Sequence, residues 1–76
     1  MTIGERLKQA RQERYLSQSE LADKAGVSKT TVVRIEAGAL VPIPRTVRRL
    51  AEALEVPPHA LAAPDELVQH RAKRAA

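Results

Sequence analysis

Apolar residues recur along this chain at three- and four-residue intervals, and the runs are punctuated by residues that start and stop helices. Ile3, Leu7 and Ala10, with Arg14 continuing the stripe, mark one face of a first helix predicted over roughly residues 2–13. Thr2 and Glu5 have capping-box spacing at its start, while Glu5, Arg6, Lys8, Gln12 and Glu13 fall on a solvated opposite face. The stretch Leu16–Ala37, LSQSELADKAGVSKTTVVRIEA, organises the rest. Ser17 and Glu20 repeat the capping-box spacing, and Leu16 and Leu21 sit where a hydrophobic staple sits. The second helix, with Leu21, Ala22 and Ala25 inward, runs to about Ala25 and stops at Gly26. Only Val27 separates that glycine from Ser28, a second N-cap, and Val27 and Val32 repeat the staple spacing. A third helix, about Lys29–Ala37, turns Val32 and Ile35 inward and ends at Gly38.

The following segment, ALVPIP, cannot be helical with Pro42 and Pro44 so close together and reads as an extended loop. Pro44 suits the first position of a fourth helix. In it Val47, Leu50, Ala51 and Leu54 point inward, and Arg45, Arg48, Arg49, Glu52 and Glu55 lie off the stripe. Val56-Pro57-Pro58 ends this helix, and Pro58 opens a short fifth one carrying Leu61. The expected architecture is a compact all-α domain of five helices over residues 1–62. A tail over 63–76 adds one short C-terminal turn from Pro64, with Leu67 and Val68 as its large apolar residues, and a frayed basic end, RAKRAA. Within this plan, helix, short glycine-containing turn, helix is the helix-turn-helix pattern. Small Ala22 and Ala25 allow the close approach that a steep helix crossing beside a tight turn needs.

Composition narrows the function. A length of 76 residues allows one domain with a small core, and Tyr15 as the single aromatic argues against a β-sandwich. With no cysteine there is neither a disulfide framework nor a thiolate metal site. No apolar run approaches a membrane span, and the N-terminus lacks the apolar stretch of a secretory signal, so a soluble cytoplasmic protein without membrane partners is expected. The formal charge of +4 and pI near 10.1 suit a polyanionic partner but do not single one out. His59 and His70 lie in different elements, zinc-ligand spacing and glycine-rich phosphate loops are absent, and no base accompanies Ser17, Ser19 or Ser28. Neither catalysis nor a cofactor nor a bound metal is expected.

The start of the second helix of such a pair enters the DNA major groove. Here Ser28, Lys29, Thr30 and Thr31 occupy it, with Val33 and Arg34 one turn on. Lys29 and Arg34 can donate to guanine O6 and N7; Thr30 and Thr31 can meet a polar base edge or a thymine methyl, and Val33 can pack on that methyl. Val33 has two readings, since it is either a base contact or a residue tolerated on a partly covered surface.

The motif SQ-x-x-LA-x-x-AGVS-x-x-x-V-x-x-IE-x-G, with IGERLKQARQER before it and LAEALEVPPHAL after it, resembles the XRE/Cro/repressor family of bacterial helix-turn-helix DNA-binding domains over roughly Ile3–Leu61. The resemblance implies a transcriptional regulator, more often a repressor, acting as a homodimer on a palindromic or near-palindromic operator of double-stranded DNA. It implies a backbone contact by Gln18, which otherwise is a solvated polar residue in a first turn, and by Ser28. Arg45 and Arg48, with Arg49 next, are the backbone candidates at the start of the fourth helix. Arg11 and Glu36 match a structural salt bridge in the family, and the last elements match its dimer interface, here Val56, Pro58, Leu61, Leu67 and Val68. Tyr15 departs from the pattern. The family commonly has glycine there, in a left-handed conformation that costs another residue roughly 1 kcal/mol. Either the turn differs, or packing of the ring recovers the cost. Other readings on the same fold are an antitoxin or bridging module with a toxin or other protein partner, a restriction-modification controller, and the DNA-binding part of a longer repressor.

Overall fold

The computed structural model describes residues 1–67. They form four α-helices: α1 (Ile3–Glu13), α2 (Gln18–Ala25), α3 (Lys29–Glu36) and α4 (Pro44–Leu54). Two single 3₁₀ turns follow, Pro58–Ala60 and Pro64–Glu66. The expected fifth helix is therefore one turn. Pro64 explains this: it has no N–H for a continuing helix, and its ring disfavours the helical conformation at Ala63. Only a handful of residues remain between the two proline-led starts. Val68 and His70 lie outside the described residues.

The helix boundaries follow from local chemistry. Thr2 and Ser17 each close a capping box: the hydroxyl accepts from the backbone N–H of Glu5 or Glu20, and that glutamate accepts from the cap's own N–H. The Ser28 hydroxyl accepts from the Thr31 N–H at 3.1 Å. Gly26 (φ 71°) ends α2 in the left-handed region, and Gly38 (φ 79°) turns the chain away from α3. Two other residues also have left-handed backbone, Tyr15 (φ 58°) and Glu55 (φ 59°). At Tyr15 the turn keeps its left-handed form, and the ring, 94% exposed, recovers nothing by packing.

Leu7, Leu21, Val32, Ile35, Val47, Leu50, Leu54 and Leu61 form the centre of one core, filled in by Ala22, Ala25, Ala51 and Ala62. The staple residues Leu16 and Val27 are half-buried against it. α2 packs on both α3 and α4, α1 packs on α3, and α4 carries the first 3₁₀ turn. Leu61, 2% exposed, holds that turn to the core, and burying such a side chain contributes about 2 kcal/mol. This corrects one sequence expectation: Leu61 serves the interior of its own chain and has no surface to offer a dimer partner.

Arg6 also departs from its expected place on the solvated face of α1. Its guanidinium donates to the Glu66 carboxylate at 2.7 Å, to the Leu61 carbonyl at 3.1 Å and to the Met1 carbonyl at 2.8 Å. Glu66 in turn accepts from the Ala63 N–H at 2.8 Å. The segment through Glu66 is thus fastened to α1. The hydrogen bond from Arg6, then that from Ala63, lowers the Glu66 pKa, and the same pairing raises that of Arg6.

Candidate nucleic-acid interface

α3 is only eight residues long, yet its two faces differ sharply. Val32 and Ile35 are fully inside the core, which fixes the rotation of the helix about its axis. That rotation turns Lys29, Thr30, Val33 and Arg34 to the outside, where all four are exposed. Val33 is 37% exposed, so a β-branched apolar residue meets solvent in the middle of the helix. Neither Lys29 nor Arg34 has a carboxylate in ion-pair distance among the described residues. The structure brings these four together on one outward face.

Thr31 and Ser28 are differently placed. Their hydroxyls lie 2.9 Å apart, and the Ser28 hydroxyl also takes the Thr31 N–H. Both hydroxyls therefore take part in the cap. Gln18, the first residue of α2, is half-buried and donates from Nε2 to Glu36 Oε1 at 3.1 Å. It is joined to the interior and is not merely a solvated first-turn residue.

Arg11 and Glu36 meet as expected. Arg11 Nε lies 2.7 Å from Glu36 Oε2 and Nη2 lies 2.9 Å from Oε1, a bidentate pair with side chains 11% and 5% exposed. Arg11 Nη1 donates to the Leu16 carbonyl at 2.8 Å. One guanidinium thus joins α1, the turn into α2 and the end of α3. The hydrogen bond to Glu36 raises the Arg11 pKa against the opposing effect of burial.

Arg45 and Arg48 are exposed on α4 without ion-pair partners among the described residues. Arg49 reaches back to the Gly26 carbonyl in the helix-turn-helix turn at 3.4 Å. The loop between α3 and α4 carries no cation; Leu40, Val41 and Ile43 are its exposed large side chains, and Pro42 is buried. Of the interface candidates, Pro58 is exposed and Val56 and Leu67 are half-buried. Pro58 and Leu67 line an open groove with Val47, Ala62 and His59.

Two structural residues escaped the sequence reading. Gly4 lies so close to α3 that a Cβ there would fall 2.4 Å from the Ile35 carbonyl oxygen and 2.8 Å from that of Glu36. Nothing in the periodicity of α1 marks this, because the close approach belongs to the packing of two helices. Arg14 donates from Nε to the Leu54 carbonyl at 2.8 Å and so caps the negative end of α4. Its signal was present: a charged residue on an otherwise apolar stripe.

Among the described residues, four helices with a capped, tightly turned second and third, and an outward face of exposed donors and methyls on the third, define a helix-turn-helix domain of the DNA-binding regulator class. Residues 2–64 match the family model described as a helix-turn-helix domain, and the chain belongs to that family. It is 46% identical over 57 residues to the HTH-type transcriptional repressor RghR of Bacillus subtilis (strain 168), covering 74% of this chain and 42% of that protein. It is 35% identical over 69 residues to the immunity repressor protein of Bacillus phage phi105, covering 91% and 48%. Among solved structures, the biofilm master regulator SinR in complex with DNA superposes with a TM-score of 0.78 at 38% identity, covering 82% of this chain and all of that one. The chain spans less than half the length of these two curated relatives. Among the described residues no helix is long and apolar enough to cross a membrane.

Proposed function

We propose that this chain is a sequence-specific DNA-binding transcriptional repressor that places α3 in the major groove. The observation that carries the reading is the outward face of α3. Lys29, Thr30, Val33 and Arg34 stand exposed on a helix whose other face is locked into the core. Two cations, a hydroxyl and a branched methyl group match the donors, acceptors and thymine methyls of the groove edge. Arg45 and Arg48, exposed and without ion-pair partners among the described residues, supply phosphate contacts from α4 beside the α3–α4 loop. The chain acts as a homodimer, with the surface around Val56, Pro58 and Leu67 at the interface. It reads a palindromic operator whose half-sites lie about 34 Å apart. Repressor names among the relatives and the DNA-bound SinR structure support this reading.

Selection of bound sequences from a random DNA pool tests it, since one result reports both specificity and half-site spacing. The expected outcome is an enriched two-fold motif whose binding weakens steeply with salt. Enrichment of no sequence, or no binding at low salt, refutes the reading. Arg34→Ala should relax preference at one position per half-site with a loss of about 1–3 kcal/mol. A uniform loss on all sequences would make Arg34 a phosphate contact instead.

A further inference from the structure

Glu36 ends α3, yet its carboxylate serves three elements. Oε2 accepts from Arg11 Nε, while Oε1 accepts from both Arg11 Nη2 and Gln18 Nε2. Gln18 follows the cap Ser17 as the first residue of α2, and the first helix of a helix-turn-helix pair crosses the sugar-phosphate backbone when the second enters the groove. An ionised carboxylate only accepts hydrogen bonds, so the Gln18 amide must turn its nitrogen toward Glu36; the flipped amide would set two acceptors against each other. The nitrogen keeps a second N–H, and Oε1 keeps its lone pairs, for partners elsewhere.

We infer that Glu36 is a positioning residue for DNA binding: it holds the Gln18 amide nitrogen-inward, so that the start of α2 offers DNA a preset N–H donor and Oε1 acceptor. The inference rests on the proposed DNA-binding function. A free glutamine side chain would lose its torsional freedom when DNA binds, whereas one held by Glu36 has lost it on folding. Arg11 neutralises the carboxylate, which removes its repulsion of a nearby phosphate. Arg11 also grips the Leu16 carbonyl, two residues before Gln18, and so fixes the backbone from which that side chain projects. A single carboxylate thereby registers the groove-reading helix against the helix that meets the backbone.

The test uses the whole chain and has two readouts. In the free protein, the one side-chain amide proton of Gln18 that is bonded to Glu36, assigned by its absence in Gln18→Met, should exchange with solvent more slowly than those of exposed Gln9 and Gln12. Arg11→Met/Glu36→Met removes the acceptor without leaving an unpaired charge, and should return that Gln18 proton to the fast class. Operator binding is then measured where circular dichroism shows every variant folded. Gln18→Met should weaken binding roughly three- to tenfold in the native background, and by less than about twofold in the Arg11→Met/Glu36→Met background. A merely structural role for the three residues would not produce that coupling in affinity. Fast exchange of that Gln18 proton in the native chain overturns the positioning while leaving DNA reading by α3 intact. Equal losses in both backgrounds overturn it as well. A slow Gln18 proton in a chain that binds no DNA overturns the proposed function, and the positioning role with it.

Discussion

Replacing Arg11 with alanine tests whether the pair with Glu36 holds the domain together. The substitution removes two charge-assisted hydrogen bonds to Glu36 and one to the Leu16 carbonyl. It leaves a carboxylate with a side chain 5% exposed and Gln18 as its one remaining side-chain donor. Breaking a fully buried pair costs about 3–5 kcal/mol, because the remaining charge is stranded away from water. Arg11 keeps 11% of its side chain exposed, so some solvent reaches the gap, and the lower end, about 3 kcal/mol, applies. A domain of this size has roughly 4–11 kcal/mol of total stability, so the loss takes a quarter or more of it. It should appear as a fall of roughly 12–24 °C in the thermal midpoint followed by circular dichroism. The double variant Arg11→Met/Glu36→Met should regain most of this, since two apolar side chains leave no stranded charge. A single-variant loss below about 1 kcal/mol would refute the stranded-charge reasoning. So would a double variant no more stable than Arg11→Ala.

Gly4→Ala should cost about 2–3 kcal/mol in urea denaturation, because the new Cβ meets the backbone carbonyls of Ile35 and Glu36, which cannot rotate aside. A gain of up to about 1 kcal/mol, as helix propensity alone would give, would show that α1 moves away freely. Tyr15→Gly should stabilise by up to about 1 kcal/mol: the left-handed strain disappears, the exposed ring forfeits no packing, and the added flexibility of the unfolded chain takes back part of the gain. No rise in thermal midpoint would contradict this. Acid should weaken the fastening of the segment around Glu66. The Glu66 pKa is lowered from 4.5 in the folded state, so its contribution is fully present above that value and is lost as pH falls through the lowered one. The protection of Leu61–Leu67 amides from hydrogen exchange, taken relative to the intrinsic rate at each pH, should fall over that range, and Glu66→Gln should show the reduced protection already at neutral pH.

Much of this molecule follows from local rules. Thr2 with Glu5, Ser17 with Glu20, Ser28, Gly26 and Gly38 are short-range devices, satisfied within a few residues of themselves. With Pro44 opening α4 and Pro57-Pro58 beyond its end, the sequence determined roughly where the four helices start and stop, and which way their apolar stripes face. The outward face of α3 followed from the same periodicity, because placing Val32 and Ile35 inward leaves Lys29, Thr30, Val33 and Arg34 nowhere else to go. Pairing of Arg11 with Glu36 came from family resemblance; the two residues lie too far apart in the chain for local spacing to have shown it.

Tertiary structure decided the rest, and each case involves contact between distant segments. Pro58 and Pro64 cut the stretch after α4 into single 3₁₀ turns by local rules, but only the fold decides that Leu61 sinks into the core and that Glu66 reaches Arg6. Arg6 looks like a surface charge, and Arg14 like a charge stranded on an apolar stripe, until the chain folds back to offer them the carbonyls of Leu61 and Leu54. Gln18 looks like a solvated glutamine until the end of α3 arrives beside it with a carboxylate. Periodicity assigns a residue to a face of its own helix. Which donor meets which acceptor depends on how the helices cross, and that is settled only when the shared core closes.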